Sequence, residues 1–311
     1  QCLNFKKNKM KIYFHVDVDY PAVLAKFYGI DNLSYDESKL EAFYKTAFER
    51  SNKFFKDMGI NATYFCVGNE LANKHNASVI KQTSEAGFGI ANHTYNHPFG
   101  LCELSNEKIN QEIELCDKTL LSITGKKPIG FRTPGYAVNT QIINTLEELG
   151  YKYDSSAGWP LMHAAIKATA LLKPITGNKM QIGFGETNSG FKNDVYTPSS
   201  KNWKHVSKSE RNLKEFPLPH AFGMLPLYNN IFLWLNESKK KILVNNSSAK
   251  CFVFLFHSIE FCSSQDSFIP KEIYKHPHVT KSVDEKLKSM KESVELLLKK
   301  YTPGLTEDDV K

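Results

Sequence analysis

Five groups of ionisable residues in this chain are spaced for chemistry. In the segment Lys11–Tyr20, KIYFHVDVDY, an extended backbone puts Tyr13, His15, Asp17 and Asp19 on one face and Phe14, Val16 and Val18 on the other. Two carboxylates so placed repel one another unless a cation or a base separates their roles. Alone, the pair also fits a surface site or a Ca²⁺ loop. His93-Thr94-Tyr95-Asn96-His97 holds two imidazoles at a spacing that one helical turn would bring above one another, the geometry of a two-histidine metal face. Two histidines with one carboxylate leave coordination positions open, the mark of a catalytic rather than a structural metal site. Arg132, in Gly130-Phe131-Arg132-Thr133-Pro134-Gly135, is pinned by Pro and Gly and could clamp a carboxylate bidentately. Asp154-Ser155-Ser156 lies near Trp159, and His257 closes the apolar run CFVFLF with Glu260 just beyond it. Taken singly, each group has a plainer account: loop histidines, a surface arginine, a hydrogen-bonded core histidine.

The elements that must position these groups alternate. Short apolar runs at Lys11–Val18, Ala62–Val67, Phe88–Ala91, Ile129–Arg132 and Tyr151–Asp154 read as strands. Between them, Ser38–Met58 (with Gly59 as its stop), Asn69–Ala86, Ser105–Ile123 and Asn139–Leu149 carry helical spacing and end signals. Such β-α alternation predicts parallel strands wrapped by helices, a barrel or a doubly wound sheet. The rhythm fails from Ala157 to Glu215, a Gly-, Asn-, Ser- and Lys-rich stretch holding Trp159 and Trp203, which reads as a long insertion over the barrel mouth. Strand signals resume at Phe216–Leu218 and Cys251–His257. Val283–Tyr301 closes as an amphipathic helix whose lysines, Lys286 to Lys300, read as its solvated face. The expected organisation is an N-terminal stub (1–10), one catalytic domain (11–301) containing the 157–215 insertion, and a C-terminal tail (302–311).

Composition sets limits on partners and setting. Of 311 residues, 41% are hydrophobic and 23% charged, so a large core can form. No window is apolar enough to span a bilayer. The net charge of +7 comes from dispersed lysines without aromatic–basic modules, which argues against a nucleic-acid partner. Six cysteines without a CxxC pair read as reduced thiols. With no secretory pattern at the start, a cytoplasmic location is the expectation. Oligomeric state leaves no trace in the sequence.

Together and in order, these motifs resemble the polysaccharide deacetylases, the NodB-homology or family 4 carbohydrate esterases. The resemblance runs from Lys11 to Tyr301. Asn61–Gly68 looks like the family's second strand, HTYNH like its metal motif, FRTPGY like its arginine motif and YDSSAGWP like its later acidic motif. Glu215–Pro219, Phe222–Pro226 and the strand into HSIEF resemble a branch linked to bacterial exopolysaccharide synthesis.

The resemblance implies a distorted, incompletely closed (β/α) barrel. It implies that Asp19, His93 and His97 hold one divalent metal, most plausibly Zn²⁺, and that Asp17 is the general base. It further implies that Arg132 orients and tunes Asp17, and that His257 is the general acid, with Asp154 as its partner. Tyr136, Trp159 and Trp203 would meet a carbohydrate substrate. The implied activity is removal of acetate from an N-acetylated amino sugar in a bacterial surface glycan or its precursor. Departures from the pattern exist. The aspartates are split by Val18 rather than adjacent, Ser258 rather than an acid follows His257, and His15 and Glu260 acquire no role beyond structure. A cyclic amide or ureide hydrolase of the same superfamily, or a catalytically inactive carbohydrate-binding protein, are the competing readings.

Overall fold

The computed structural model describes residues 10–27, 30, 33, 36–158, 192–207 and 211–310. Parallel strands β1 (Lys11–Asp17), β2 (Ala62–Cys66), β3 (Gly89–Asn92), β4 (Gly130–Phe131), β5 (Tyr153–Asp154) and β6 (Lys214–Glu215) pair in chain order. A short antiparallel pair follows, β7 (His220–Ala221) with β8 (Leu225–Pro226). The chain then returns to β1: β9 (Cys251–His257) runs beside its whole length, and β10 (Thr302–Gly304) pairs with Lys11–Tyr13, below the Phe14–Asp17 stretch that pairs with β2. Among the described residues β6 and β9 do not pair, so the sheet curls into an open half-barrel, the incompletely closed (β/α) architecture expected.

Alternation explains the layers. Ile12, Phe14 and Val16 of β1, Ala62, Tyr64 and Cys66 of β2, and Phe252, Phe254 and Phe256 of β9 point outward into one core. Helix α1 (Pro21–Phe27) follows β1, and helices α2 (Glu37–Asp57) and Val283–Leu298 cover the outward residues with Leu40, Phe43, Phe55, Met290, Val294 and Leu297. The opposite residues, Tyr13, Phe65, Val253 and Leu255, fill the interior with Ala91, Tyr153 and Phe216. His15 and Asp17 share that inner face, both buried. A carboxylate and a histidine on one strand therefore look into the barrel because their apolar neighbours are needed outside it.

End signals place the helices. Asp36 accepts from the Ser38 and Lys39 amides to start α2, and Gly59, at φ 66°, takes the left-handed turn beyond its end. The helix expected over Asn69–Ala86 is two pieces, a 3₁₀ turn at Asn69–Ala72 and α3 (Lys74–Glu85), because Asn73 is extended and caps α3 with its own side chain. Ser105 and Asn139 cap α4 (Asn106–Thr124) and α5 (Thr140–Glu148). The strand expected at Phe216–Leu218 lies earlier, at Lys214–Glu215.

Lys286 departs from the solvated-lysine reading. It is buried, and its ammonium donates to the carbonyls of Cys262 and His278, so burial pushes its pKa down to about 8. The tail is also more than a tail. After β10, helix Thr306–Asp309 turns under the barrel, where Glu307 accepts from Thr63 Oγ1 at 2.8 Å and Tyr153 Oη at 2.7 Å.

Glycines keep this floor open. A Cβ on Gly130 would lie 2.1 Å from the Tyr153 ring. Gly130→Ala should therefore cost about 1–3 kcal/mol through overpacking, seen as a lower urea midpoint with unchanged slope. An unchanged midpoint would mean that the Tyr153 ring moves aside without loss.

Candidate active site

The candidate residues meet because parallel strands end together. Asp17 ends β1 opposite His257 of β9 in the strand register. His93 follows β3 and Arg132 follows β4, held level by the Arg132 amide donating to the Asn92 carbonyl at 3.1 Å. The carboxyl ends of parallel barrel strands are where such sites form.

Asp19, two residues past β1, stands between two imidazoles. Its Oδ1 lies 3.6 Å from His93 Nε2 and 3.3 Å from His97 Nε2. The helical turn expected of HTYNH is absent: the segment is a loop with Thr94 at φ 69° and His97 at φ 53°. A β-branched residue at positive φ is strained, so the loop must be held. Asn92 Oδ1 accepts from the Thr94 amide at 2.7 Å, Thr94 Oγ1 accepts from the His97 amide at 3.1 Å, and Glu112 Oε2 accepts from the Asn96 amide at 2.8 Å. The rings end T-shaped with centroids 5.0 Å apart.

This donor set fits a divalent ion. His93 Nδ1 donates to the Arg132 carbonyl at 2.7 Å, which leaves Nε2 bare and aimed at Asp19. A neutral ring oriented by a backbone carbonyl is the usual state of a metal-ligating histidine, and burial pushes the His93 pKa down to about 4. Ligands about 2.0–2.1 Å from a tetrahedral ion lie about 3.4 Å from each other, the separation found here. Asp19 Oδ1 makes no hydrogen bond that would compete. Burial would raise the Asp19 carboxyl, but His97 and then His93 and His257 hold it well below the usual carboxylate range.

Asp17 is held away from that set. Arg132 Nη1 donates to its Oδ1 at 2.6 Å, and Tyr136 Oη donates to its Oδ2 at 3.2 Å. Arg132 is 0% exposed and its remaining donors reach Ser155 O, Ser155 Oγ and His15 Nδ1 at 2.7, 2.8 and 2.7 Å. His15, given only a structural role by the sequence, is thus part of the arginine's cage.

His257 Nε2 lies 3.9 Å from Asp17 Oδ2. Its other nitrogen corrects the expected pairing with Asp154. Glu260 Oε1 is 3.6 Å from His257 Nδ1 and 3.2 Å from His278 Nδ1, while Glu260 Oε2 accepts from Asn229 at 2.7 Å. Asp154 is on β5, across β1 to β4 from β9 in strand order, and accepts from Ser156 Oγ at 2.6 Å. It braces the Ser155-Ser156 turn beside Arg132 instead. Burial alone would push the His257 imidazole down; Glu260, then Asp17 and Asp19, override it and raise the pKa to about 9.

The aromatic candidates separate. Tyr136 touches the site through Asp17. Trp203 is 1% exposed and packs with Leu101, Ile109 and Ile142 in a core between α4 and α5, not at the site. Trp159 lies outside the described residues.

Residues 32–153 match the family model for polysaccharide deacetylase. Over that segment the chain is similar to the polysaccharide deacetylase family. A peptidoglycan deacetylase-like protein of Gibberella zeae is 28% identical over 146 residues, 46% of this chain and 37% of that one. A chitooligosaccharide deacetylase of Azorhizobium caulinodans is 33% identical over 92 residues, 29% of this chain and 42% of that one. The chain thus matches less than half the length of these curated relatives. A crystal structure from Mycobacterium smegmatis, described as a polysaccharide deacetylase, shares the fold with a TM-score of 0.52 at 15% identity, covering 97% of this chain and 96% of its own.

The Glu260–His257 contact has a thermodynamic signature. A histidine raised from 6.5 to about 9 stabilises the fold fully below about pH 6.5, and that contribution is lost as pH rises through 9. In metal-stripped protein, Glu260→Gln should be less stable than wild type by at most about 3 kcal/mol near pH 6, the gap closing toward about pH 9.5. Urea unfolding at both values measures it, and a gap independent of pH would remove Glu260 as the partner of His257.

Proposed function

We propose that the chain is a metal-dependent N-deacetylase that hydrolyses the acetamide of an N-acetylated amino sugar in a surface glycan or its precursor. The observation that carries this is the division of labour along β1. Asp19 faces the Nε2 atoms of His93 and His97, while Asp17 faces Arg132, Tyr136 and His257. Deacetylation needs a ligand set, a base and an acid within one substrate's reach, and these strand ends supply all three. The names of the chitooligosaccharide and peptidoglycan deacetylase-like relatives support the sugar substrate.

Asp19, His93 and His97 would hold the ion, with Zn²⁺ best suited to two imidazoles and one carboxylate. Bound there, it would act as a Lewis acid on the acetamide carbonyl and make water acidic enough to lose a proton near neutral pH. Asp17 takes that proton as the water oxygen attacks the carbonyl carbon. Arg132 and Tyr136 fix its two oxygens, so the carboxylate meets water in one orientation. As the C–N bond breaks, His257 Nε2 gives its proton to the leaving nitrogen, so acetate and a free amine result. Glu260 keeps that proton on His257 at neutral pH.

Zinc content measured alongside acetate release from N-acetylglucosamine oligomers tests the assignment. His93→Ala should lose both. Asp17→Asn should keep its zinc while kcat falls by about 10²–10⁴-fold, the usual contribution of a general base. Zinc-loaded wild type that releases no acetate, or that opens cyclic ureides instead, would refute the proposal.

The pH profile tests the acid. As pH rises, kcat/KM should fall when His257 loses its proton, and Glu260→Gln should move that limb to lower pH. A limb unmoved by Glu260→Gln would assign the acid elsewhere.

A further inference from the structure

We propose that the C-terminal helix Thr306–Asp309 completes the catalytic apparatus from beneath, with Thr306 a positioning residue that fixes Arg132, and through it Asp17, by way of His15. The inference rests on the reading of Asp17 as the base. It adds an unassigned role for residues near the chain's end, far in sequence from every motif.

The chain of contacts is continuous. Thr306 Oγ1 lies 2.8 Å from His15 Nε2, His15 Nδ1 lies 2.7 Å from Arg132 Nη2, and Arg132 Nη1 donates to Asp17 at 2.6 Å. Hydrogen count decides the directions. A guanidinium only donates, so His15 Nδ1 must be a bare acceptor. The ring's one proton then sits on Nε2 and is donated to Thr306. His15 cannot become cationic in this arrangement, since a protonated Nδ1 would face an N–H, and burial and Arg132 both push its pKa well below the ordinary value. Thr306 is therefore the acceptor that lets one tautomer persist in a site fully closed to water.

The rings packed on His15 offer no substitute for that acceptor. The His15 ring lies against Phe65 and Tyr153, at centroid distances of 5.0 and 6.3 Å, and the Arg132 guanidinium lies 4.2 Å over the Phe65 ring. The helix is seated independently of Thr306. Glu307 takes hydrogen bonds from Thr63 and Tyr153, and Asp309 Oδ2 accepts from Tyr13 at 2.9 Å and Lys11 at 3.3 Å. Gly89 clears the space, since a Cβ there would fall 2.6 Å from Glu307 Oε2. Strands β1, β2 and β5 thus all hold the helix, and Thr306 is delivered to His15 by anchors other than itself. Without the hydroxyl, either the Nε2 proton is stranded or the ring shifts and strands Arg132. Both outcomes loosen the group that aims Asp17.

Thr306→Val keeps the shape and removes the acceptor, and Thr306→Ser restores it. With zinc-loaded full chains, Thr306→Val should lower kcat about tenfold, the effect of one stranded buried donor, with KM and zinc content unchanged. Thr306→Ser should return kcat to the wild-type range. Nitrogen NMR of His15 supplies a readout that needs no activity: wild type should show the Nε2–H tautomer with a slowly exchanging proton, and Thr306→Val should lose that protection. Wild-type His15 in the Nδ1–H tautomer, or a Thr306→Val enzyme with wild-type kcat, would overturn the inference; the tautomer decides it even if Thr306→Val does not fold. Wild type lacking deacetylase activity while His15 shows the expected tautomer would instead refute the functional reading and leave the hydrogen-bond chain standing.

Discussion

A guanidinium with no water must find every partner in the protein, and Arg132 is such a group. Burying an unpaired charge costs several kcal/mol, so its surroundings are not free to vary. Its side chain binds Asp17, His15 and Ser155, and its carbonyl accepts from His93. One residue therefore fixes the carboxylate assigned as base and one of the imidazoles assigned as metal ligands. The ends of β1, β3, β4 and β5 must converge for this to happen, which is what a curled parallel sheet provides. The open edge between β6 and β9 does not weaken that convergence, because none of those four ends lies at it.

The same constraint separates Asp17 from Asp19. Like charges so near in sequence would repel each other if they faced the same solvent. Here Asp17 remains on the strand against Arg132, and Asp19 steps beyond it toward the imidazoles. Opposite charge on one side and imidazole nitrogen on the other give chemically similar groups different surroundings. His257 stands beside Asp17, its proton retained by Glu260, which is how the proposed acid and base would coexist at one pH.

Much of this was legible in the sequence, and what was not has identifiable causes. Alternation in KIYFHVDVDY placed His15 and Asp17 inside and Phe14 and Val16 outside, because one apolar face had to be buried. The order of the HTYNH and FRTPGY motifs along β-α units was enough to bring them to the same rim. Spacing misled at His93 and His97, where a turn through positive φ replaces the helical one and depends on Asn92 and Glu112, residues remote from any motif rule. Asp154 looked like a partner for His257 because both are polar residues at strand ends, but strand order keeps them apart while Glu260 lies one short turn away. Lys286 read as solvated from its type; its burial depends on two carbonyls contributed by segments that only the fold brings near. Trp203 looked like a sugar platform because it lies in an irregular stretch, yet its own side chain packs onto α4 and α5.

The account's central claim is that the ion binds Asp19, His93 and His97 while Asp17 stays outside its coordination sphere. X-ray absorption spectroscopy at the zinc edge, on zinc-loaded wild type and Asp17→Asn, tests it directly. The account predicts the same spectrum for both, with two imidazoles and a carboxylate oxygen at about 2.0–2.2 Å. A sphere lacking imidazole, or one that loses an oxygen ligand in Asp17→Asn, would contradict it.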